Sequence, residues 1–430
     1  MTNNTIGIDE TEIINISIIG VDTKILFREY YKEIKNTVKD IGSLKYTLEN
    51  GNIMPSIKII DGLFFDELII KTVYIPDKIR HSGYKHLYTC MKVGAGNILP
   101  DNRNNISIVK YREYVTQILP WYLKERYGII ADFSHVKIQS MEININIPIT
   151  GTFNEYNRVL NLIIHILKMR GTIHDERKSG ELPRTYWKRN NLEELILYDK
   201  KYEIESRYST HKFQKAKEKW ELKKQILSHF PYKTEFFCEQ LESSCHRYIR
   251  MELRLYNLGK NKKRHSSQKK IEKFLNINDT LLDHITDDLI IKNFKEYLKQ
   301  KILIPFCKWY YDDKKKIRKL VKEYKHDYGQ SWQQYFYPAL YKIEVSTGVL
   351  CIIDFAHLRD CLNFDSKKDG INLKHNLSAI LQRFRKKEAM NTECDRFEKN
   401  DSIKIIEIFQ ALGLDYENEF KKYDINILPK

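Results

Sequence analysis

A tyrosine beside two lysines is the first group of residues in this chain that could do chemistry. Tyr198 ends the short apolar run LIL and is followed, after one residue, by Lys200 and Lys201. Such a tyrosine could act as a nucleophile toward phosphate, but with its free pKa of about 10 it needs help from a metal ion or a nearby cation. Short apolar runs flanked by polar residues usually form buried strands, so Tyr198 could equally be a core residue that ends a strand.

Two further segments carry polar side chains at alternate positions. Glu142 and Asn144 alternate with apolar residues in MEININI, and Glu252 stands between Arg250 and Arg254 in YIRMELRLY. Carboxylate and amide oxygens are ligands that Mg²⁺ or Mn²⁺ prefers, and a bound divalent ion would polarise a phosphodiester. The two arginines suit bidentate contact with phosphate. Alternatively, Glu252 only pairs with these arginines on an exposed face of a sheet.

These residues can act together only if the segments that carry them are neighbouring strands. Residues 136–149 form the clearest half-buried strand pattern, residues 248–256 alternate in the same way, and the run before Tyr198 predicts a third strand. Short apolar runs between residues 13 and 70 predict more strands, separated by a helix near residues 27–40. Apolar residues at helical spacing predict helices over 111–127 and 154–170, and residues 202–230 form a charged helical stretch that is solvated or folded back as a hairpin.

The character of the chain changes after Tyr256. Residues 259–273 are basic and polar without an apolar period, and helical patterns dominate from residue 277 onward. We therefore predict an α+β fold: a mostly antiparallel sheet flanked by helices in residues 1–258, a basic linker or arm in 259–275 and a mostly α-helical domain in 276–430. Five basic residues of the arm are expected to contact backbone phosphate, namely Lys262, Lys263, Arg264, Lys269 and Lys270.

The overall charge favours a polyanionic partner. The 430 residues include 73 Lys and Arg against 57 Asp and Glu, which gives a formal net charge of +16 and a pI near 9.2. Nucleic acid is the first candidate partner and an anionic membrane surface the second. A composition that is generally rich in Lys, Ile and Asn would also explain the charge.

Several common classes of protein are not indicated. The seven cysteines form no C-x-x-C pair, which argues against a zinc ribbon or disulfide framework and fits a reducing cytoplasm. The N-terminus lacks the pattern of a signal peptide, and no apolar run is long enough to span a bilayer. The phosphate-binding loop, the dinucleotide glycine fingerprint, H-E-x-x-H and G-x-S-x-G are absent. Since no two histidines are separated by one apolar residue, a metal site must rely on carboxylates.

The three segments resemble, in the same order, the filamentous-phage gene II family of replication proteins, also found as phage and plasmid replication initiators. The family patterns are S-R-I-D-x-T, an aromatic residue followed by an apolar run and Y-x-K-x-x-E-L, and V-R-x-E-x-R. The similar positions here are Glu142 and Asn144, then Tyr186, Tyr198, Lys200 and Glu203, then Arg250, Glu252 and Arg254. Glu142 stands where the family usually has Asp. The resemblance covers about residues 50–275.

The resemblance implies an endonuclease that nicks one strand of a double-stranded replication origin. A tyrosine would take the 5′-phosphate covalently, leave a free 3′-OH for the host polymerase and later rejoin the displaced strand. Tyr198 is the expected nucleophile with Lys200 beside it, while Tyr186 is the runner-up and Tyr202 the third candidate. The expected cofactor is Mg²⁺ or Mn²⁺, held by Glu142, Asn144 and Glu252. Transesterification conserves the phosphodiester energy, so resealing needs no ATP.

The expected partners are double-stranded origin DNA, the displaced single strand and host replication proteins, in the cytoplasm of a bacterial host and without a membrane. Two other functions stay open. One is a non-catalytic origin-binding or copy-control protein, with a DNA-reading helix in LRDCLNF or HNLSAILQRFRKK. The other is a conjugative relaxase, which shares the chemistry but has different biological partners.

Overall fold

The computed structural model of the chain describes residues 6–18, 45–49, 52–77, 82–99, 105–175, 183–207, 210–232, 248–257, 269–336, 339, 355–362 and 401–427. Some of the sequence-based predictions therefore lie outside the described residues. These are the helix near residues 27–40, the basic residues Lys262, Lys263 and Arg264, and the segment HNLSAILQRFRKK.

An antiparallel sheet is the centre of the fold. The strands are β1 (Gly7–Ile14), β2 (Ser17–Ile18), β3 (Lys45–Glu49), β4 (Asn52–Ile60), β5 (Glu67–Asp77), β6 (Ser82–Gly94), β7 (Ala131–Asp132), β8 (Lys137–Pro148), β9 (Thr172–Asp175), β10 (Thr185–Arg189), β11 (Glu193–Asp199) and β12 (Tyr248–Tyr256). Ten of them form one sheet in the order β3-β4-β5-β6-β1-β8-β12-β11-β10-β9, and β2 pairs with β7. The first strand of the chain is thus inserted in the middle of the sheet, between β6 and β8.

The three strands predicted to carry the chemistry are neighbours in this sheet. The 136–149 pattern corresponds to β8, the 248–256 pattern to β12, and Tyr198 lies near the end of β11. The alternating polar and apolar residues predicted these strands correctly because successive side chains of a strand point to opposite faces of the sheet. One face buries Ile143, Leu253 and Leu197 completely, and the other face carries the polar residues.

Helices cover the apolar face and continue beyond the sheet. They are α1 (Ile108–Glu113), α2 (Leu119–Tyr127), α3 (Phe153–Ile166), α4 (Lys200–Arg207), α5 (Thr210–Leu227), α6 (Lys270–Leu275), α7 (Asp287–Leu298), α8 (Ile304–Tyr328), α9 (Phe355–Cys361), α10 (Asp401–Ala411) and α11 (Tyr416–Lys422). The π-helical turns Tyr114–Ile118 and Lys299–Leu303 join α1 to α2 and α7 to α8. Three 3₁₀ turns lie at Ala95–Asn97, Leu282–His284 and Gly329–Ser331.

The helical C-terminal region packs on the sheet through α3. This helix starts at a capping box of Thr152 and Glu155, and it buries its apolar side against the sheet. From its other side Arg158 pairs with Asp401 of α10 at 2.6 Å. One continuous apolar core therefore extends from β1 to residue 427. The predicted α+β class, with a mostly antiparallel sheet and a helical C-terminal region, is confirmed. The proposed domain boundaries stay predictions.

In the described part of the chain, no helix has both the length and the apolar character that a bilayer crossing requires.

Candidate active site

The polar face of β8, β12 and β11 brings together the residues that the sequence pattern indicated. The facing pairs across these strands are Glu142 with Arg254, Asn144 with Glu252, and Arg250 with Tyr198. Because the side chains of facing residues lie close together on one face, two carboxylates and a tyrosine converge there.

The hydroxyl of Tyr198 contacts both a carboxylate and an ammonium group. It donates a hydrogen bond to Oε1 of Glu252, and Nζ of Lys200 lies 3.3 Å away from the hydroxyl oxygen. Lys200 is fully buried, and its ammonium also pairs with Glu203 at 2.7 Å. The carboxylate is placed to accept the proton of the phenol, and the ammonium is placed to stabilise a phenolate.

Asp9 completes the site, and the sequence-based prediction missed it. Ile8 pairs with Ile143 and Thr11 with Met141, so Asp9 and Glu10 together stand opposite Glu142. Alternation from the buried Ile8 places Asp9 on the polar face, and the β-bulge keeps Glu10 on that face as well. Carboxylate oxygens of Asp9, Glu142 and Glu252, here called the carboxylate cluster, lie within 4.8 Å of one another. Among the described residues, this is the one group of His, Cys, Asp and Glu that could hold a metal ion.

Two arginines partly neutralise the carboxylate cluster. Arg254 pairs with Glu142 at 2.8 Å and with Glu252 at 3.2 Å, and its side chain is 35% exposed. Arg250 is fully buried, and its Nε donates to Oδ1 of Asn146 at 2.9 Å while its Nη1 lies 3.4 Å from Asp9. The prediction that Arg250 contacts DNA is therefore wrong for this conformation, since its side chain is fully buried and its guanidinium already contacts Asn146 and Asp9. Arg254 remains accessible.

Burial and mutual repulsion shift the pKa values of the carboxylate cluster. Burial raises the pKa of Glu142 well above its usual range, and the neighbouring Glu252 raises it further. Burial also raises the pKa of Asp9, although Arg250 partly offsets this. Burial acts on Glu252 in the same direction, but the hydrogen bond with Glu142 and the nearby arginines outweigh it and lower its pKa. The site therefore favours the protonated form of Glu142, whereas a bound divalent ion would favour its carboxylate.

The same burial keeps Tyr198 in its neutral form. Desolvation and the negative charge of Glu252 raise the pKa of Tyr198 far above 10, and Arg250 only partly opposes them. Desolvation and Arg250 together lower the pKa of Lys200. The phenol therefore needs a further positive charge close to it before it can become a nucleophile.

Asn144 fits the role of an additional metal ligand. Its side chain is fully buried beside Glu142, and neither its amide oxygen nor its amide nitrogen has a hydrogen-bond partner among the residues that the structure describes. Buried side-chain amides nearly always have partners, and an amide oxygen is a suitable ligand for a hard cation. The donors that the sequence indicated, together with Asp9, thus suit Mg²⁺ or Mn²⁺ by their chemistry.

A cleft of about 630 Å³ gives access to these groups. The carboxylate cluster, Tyr198 and Arg254 line it on the sheet side. The turn Gly94–Asn97 and Lys219 of α5 also line the cleft. A space of this size admits part of an extended substrate to the reactive groups.

Tyr186 does not reach this cleft. It pairs with Leu197 rather than with Tyr198 in the register of β10 and β11, so it lies on the apolar face of the sheet. Its side chain is buried, and its hydroxyl donates to Oδ1 of Asn157 in α3 at 3.1 Å. The runner-up assignment of Tyr186 as nucleophile is therefore wrong for this site, because a spacing of twelve residues across a hairpin does not fix the face. Tyr202, the third candidate, is exposed in α4.

The described lysines of the basic arm differ in their surroundings. Lys269 is exposed, and Lys270 pairs with Glu193 at 2.6 Å at the start of α6. Their contact with DNA stays a prediction.

A search with protein-family models found no match to this chain, and no curated protein matches it either. The geometry of the site and the resemblance of its three segments are therefore the basis for a functional assignment.

Proposed function

We propose that the protein nicks and rejoins a DNA strand by transesterification through Tyr198, at a metal site that the carboxylate cluster forms. The observation that carries the proposal is the convergence of the Tyr198 hydroxyl, the Glu252 carboxylate and the Lys200 ammonium at one edge of this cluster. The net charge of +16 and the ordered resemblance to replication initiators support DNA as the substrate.

In the proposed reaction, the oxygen of Tyr198 attacks a backbone phosphorus while its proton moves to Glu252. The new bond joins the tyrosine to the 5′-phosphate, and the bond from phosphorus to the 3′-oxygen breaks. The 3′-oxygen takes a proton from solvent and leaves as a free hydroxyl. Lys200 stabilises the negative charge on the tyrosine oxygen during attack. The reverse reaction, with the 3′-hydroxyl as the nucleophile, rejoins the strand.

The proposed cofactor is Mg²⁺ or Mn²⁺, held by Asp9, Glu142, Glu252 and the amide oxygen of Asn144. When bound, it would neutralise charge on the phosphate and favour the phenolate of Tyr198. Arg254 already pairs with two of these carboxylates, so its accessible guanidinium has to give way as a cation enters. It is then free to contact phosphate.

The biological role that fits this chemistry is initiation of phage or plasmid rolling-circle replication in the bacterial cytoplasm. The partners would be double-stranded origin DNA, the displaced strand and host replication proteins. A conjugative relaxase would use the same residues, and transfer assays of the parent element distinguish the two roles.

The direct test is incubation of the protein with supercoiled DNA that carries its gene and flanking sequence, in Mg²⁺ or Mn²⁺. We expect open-circular product and a covalent adduct that survives denaturant, with the nucleotide on the peptide that contains Tyr198. Tyr198→Phe should abolish both. Tyr186→Phe is the matched control, because its hydroxyl lies on the other face of the same two strands.

Normal nicking and adduct formation by Tyr198→Phe would contradict the assignment of the nucleophile. Salt-sensitive DNA binding without cleavage in either metal would instead support a non-catalytic origin-binding protein.

A further inference from the structure

The helix α5 has an unusual anchor on the wall of the cleft. Most of its described side chains are exposed, but Trp220 and Lys223 are almost completely buried. The ammonium of Lys223 donates a hydrogen bond at 3.0 Å to the backbone carbonyl of Gly96, in the turn Gly94–Asn97 that lines the cleft. It also lies 5.4 Å from the centroid of the Trp220 ring.

Burial of an ammonium group is costly, so this contact has a structural consequence. Desolvation lowers the pKa of Lys223 well below its usual range, and the neighbouring Lys219 lowers it further. A buried lysine is retained only where its contacts are fixed. The hydrogen bond to Gly96 therefore holds α5 in one position along the cleft. The helix, predicted to be solvated or folded back as a hairpin, is mostly exposed and is also attached to the wall of the cleft.

Lys219 lies one helical turn before this anchor. Residues four apart occupy the same face of a helix, so the anchor of Lys223 also sets the position of Lys219. Lys219 lines the cleft, and it has no ion pair or hydrogen bond with any residue that the structure describes. The other cation that lines the cleft, Arg254, is paired with Glu142 and Glu252.

We infer that Lys219 binds a backbone phosphate of the nucleic-acid strand that occupies the cleft. This inference rests on the function proposed above. The sheet side of the cleft supplies the carboxylates and the tyrosine, and the helix side supplies the ammonium group of Lys219, on which the charges of Asp66 and Asp61 act without forming an ion pair among the described residues. An ammonium group is a strongly hydrated point charge with three rotatable donors, so Lys219 would contact phosphate without reading the base sequence.

The test uses the full-length protein, a fluorescent single-stranded oligonucleotide and fluorescence anisotropy at several salt concentrations. Lys219→Met should weaken binding by about tenfold and reduce the magnitude of the slope of log K against log salt by about 0.7, the change expected for one lost phosphate contact. Lys219→Arg should restore the slope. Lys217→Met is the matched control, because Lys217 is exposed on the opposite side of the same helix.

Mn²⁺ affinity provides a second readout, and Lys219→Met should leave it unchanged. An unchanged salt slope for Lys219→Met, or an equal loss in Lys217→Met, would overturn the role of Lys219 while leaving the proposed function intact. A wild-type protein that binds no oligonucleotide would overturn both. Loss of Mn²⁺ affinity in Lys219→Met would show instead that the residue only supports the carboxylate cluster.

Discussion

Among the described residues, two groups that centre on buried charged side chains are built in opposite ways. In the helical region, Lys314 donates to Asp360 at 2.9 Å and to the carbonyl and carboxylate of Asp424 at 2.7 and 3.1 Å. The hydroxyl of Tyr310 donates to the other oxygen of Asp360 at 2.7 Å. We call Tyr310, Lys314, Asp360 and Asp424 the helical cluster. In the sheet, the carboxylate cluster gathers three acids that face one another.

The difference is the one expected between a structural group and a ligand-binding one. Each donor of the Lys314 ammonium has an acceptor, so the helical cluster needs nothing from outside. In the carboxylate cluster, burial and the neighbouring Glu252 raise the pKa of Glu142, and Arg254 only partly opposes them. Like charges gathered in a cleft are a sign of a ligand with opposite charge, whereas complementary charges in a core hold the fold together.

The largest expected effect is on stability, through the helical cluster. Lys314→Met leaves the buried carboxylate of Asp360 without its cation, and we expect a loss of about 3–5 kcal/mol in the free energy of unfolding. Urea denaturation measures it. Lys319→Met on the same helix is the control, since its side chain is 80% exposed and it should change stability by less than about 0.5 kcal/mol. A similarly small change in Lys314→Met would remove the distinction between the two clusters.

Glu142→Gln should have the reverse effect of Lys314→Met: a small change in stability and a large loss of metal affinity. In chelator, the free energy of unfolding should change by less than about 1 kcal/mol, because glutamine resembles the protonated carboxyl that the site already favours. Mn²⁺ affinity should fall by at least about a hundredfold. Mutation of residues that only hydrogen-bond to a metal ligand already lowers metal affinity by about 10–100-fold, and Glu142 is proposed as a ligand itself. Calorimetric titration measures the affinity. Unchanged Mn²⁺ binding would show that the cluster is not a metal site.

When metal is absent, the contributions of the two regions to the free energy of unfolding should change with pH in opposite directions. The raised pKa of Glu142 means that the folded protein binds more protons than the unfolded chain above the usual value of 4.5, so this contribution to stability is lost as the pH rises. Burial lowers the pKa of His357, which stacks near Tyr310, to about 3. Its contribution is complete above the usual value of 6.5 and is lost as the pH falls toward about 3.

Denaturation across this pH range checks both signs. Glu142→Gln should reduce the loss of stability at rising pH, to which Asp9 also contributes, and His357→Gln should reduce the loss at falling pH. Each group accounts for at most about 1.4 kcal/mol per pH unit. With saturating Mn²⁺, the contribution of the carboxylate cluster to stability should instead increase as the pH rises, because bound metal requires the deprotonated acids. The contribution of His357 should not change. The same pH response in the two variants would contradict the assignment.

The smallest expected effects compare two tyrosines that donate to buried carboxylates. Tyr310→Phe and Tyr198→Phe each remove one hydrogen bond, to Asp360 and to Glu252, and each should cost about 1 kcal/mol in the free energy of unfolding. Only Tyr198→Phe should eliminate the DNA adduct. If Tyr310→Phe also lost the adduct at equal stability, the separation of structure from function would fail.

Strand alternation was sufficient to place most of the site. The pleat puts Glu142 and Asn144 on one face of β8, and Glu252 on one face of β12, without any knowledge of the fold. The three strands then meet because they are neighbours in the sheet, which alternation alone does not determine. Tyr186 shows what alternation cannot predict. The face on which its side chain lies depends on the register of β10 against β11, and the hairpin loop sets that register.

Asp9 could not be predicted from the same pattern. Strict alternation in GIDETEII would place Asp9 and Glu10 on opposite faces, and only with the bulge opposite Glu142 do both of them lie on the polar side. A pair of adjacent acids in an otherwise alternating strand is the signal that could have suggested it. Lys219 was equally hidden, because one cleft-facing lysine looks like any other in a helix that is rich in lysine.

The central place of β1 has a consequence for how the protein is made. Its register joins it to β6 on one side and to β8 on the other, and Glu252 arrives only with β12. Contacts between residues so far apart in the chain are slow to form. Since synthesis proceeds from the N-terminus, Asp9 leaves the ribosome long before Glu252 exists. A nascent chain therefore has no complete set of carboxylates, and the carboxylate cluster is assembled only after the whole sheet has been translated and closed.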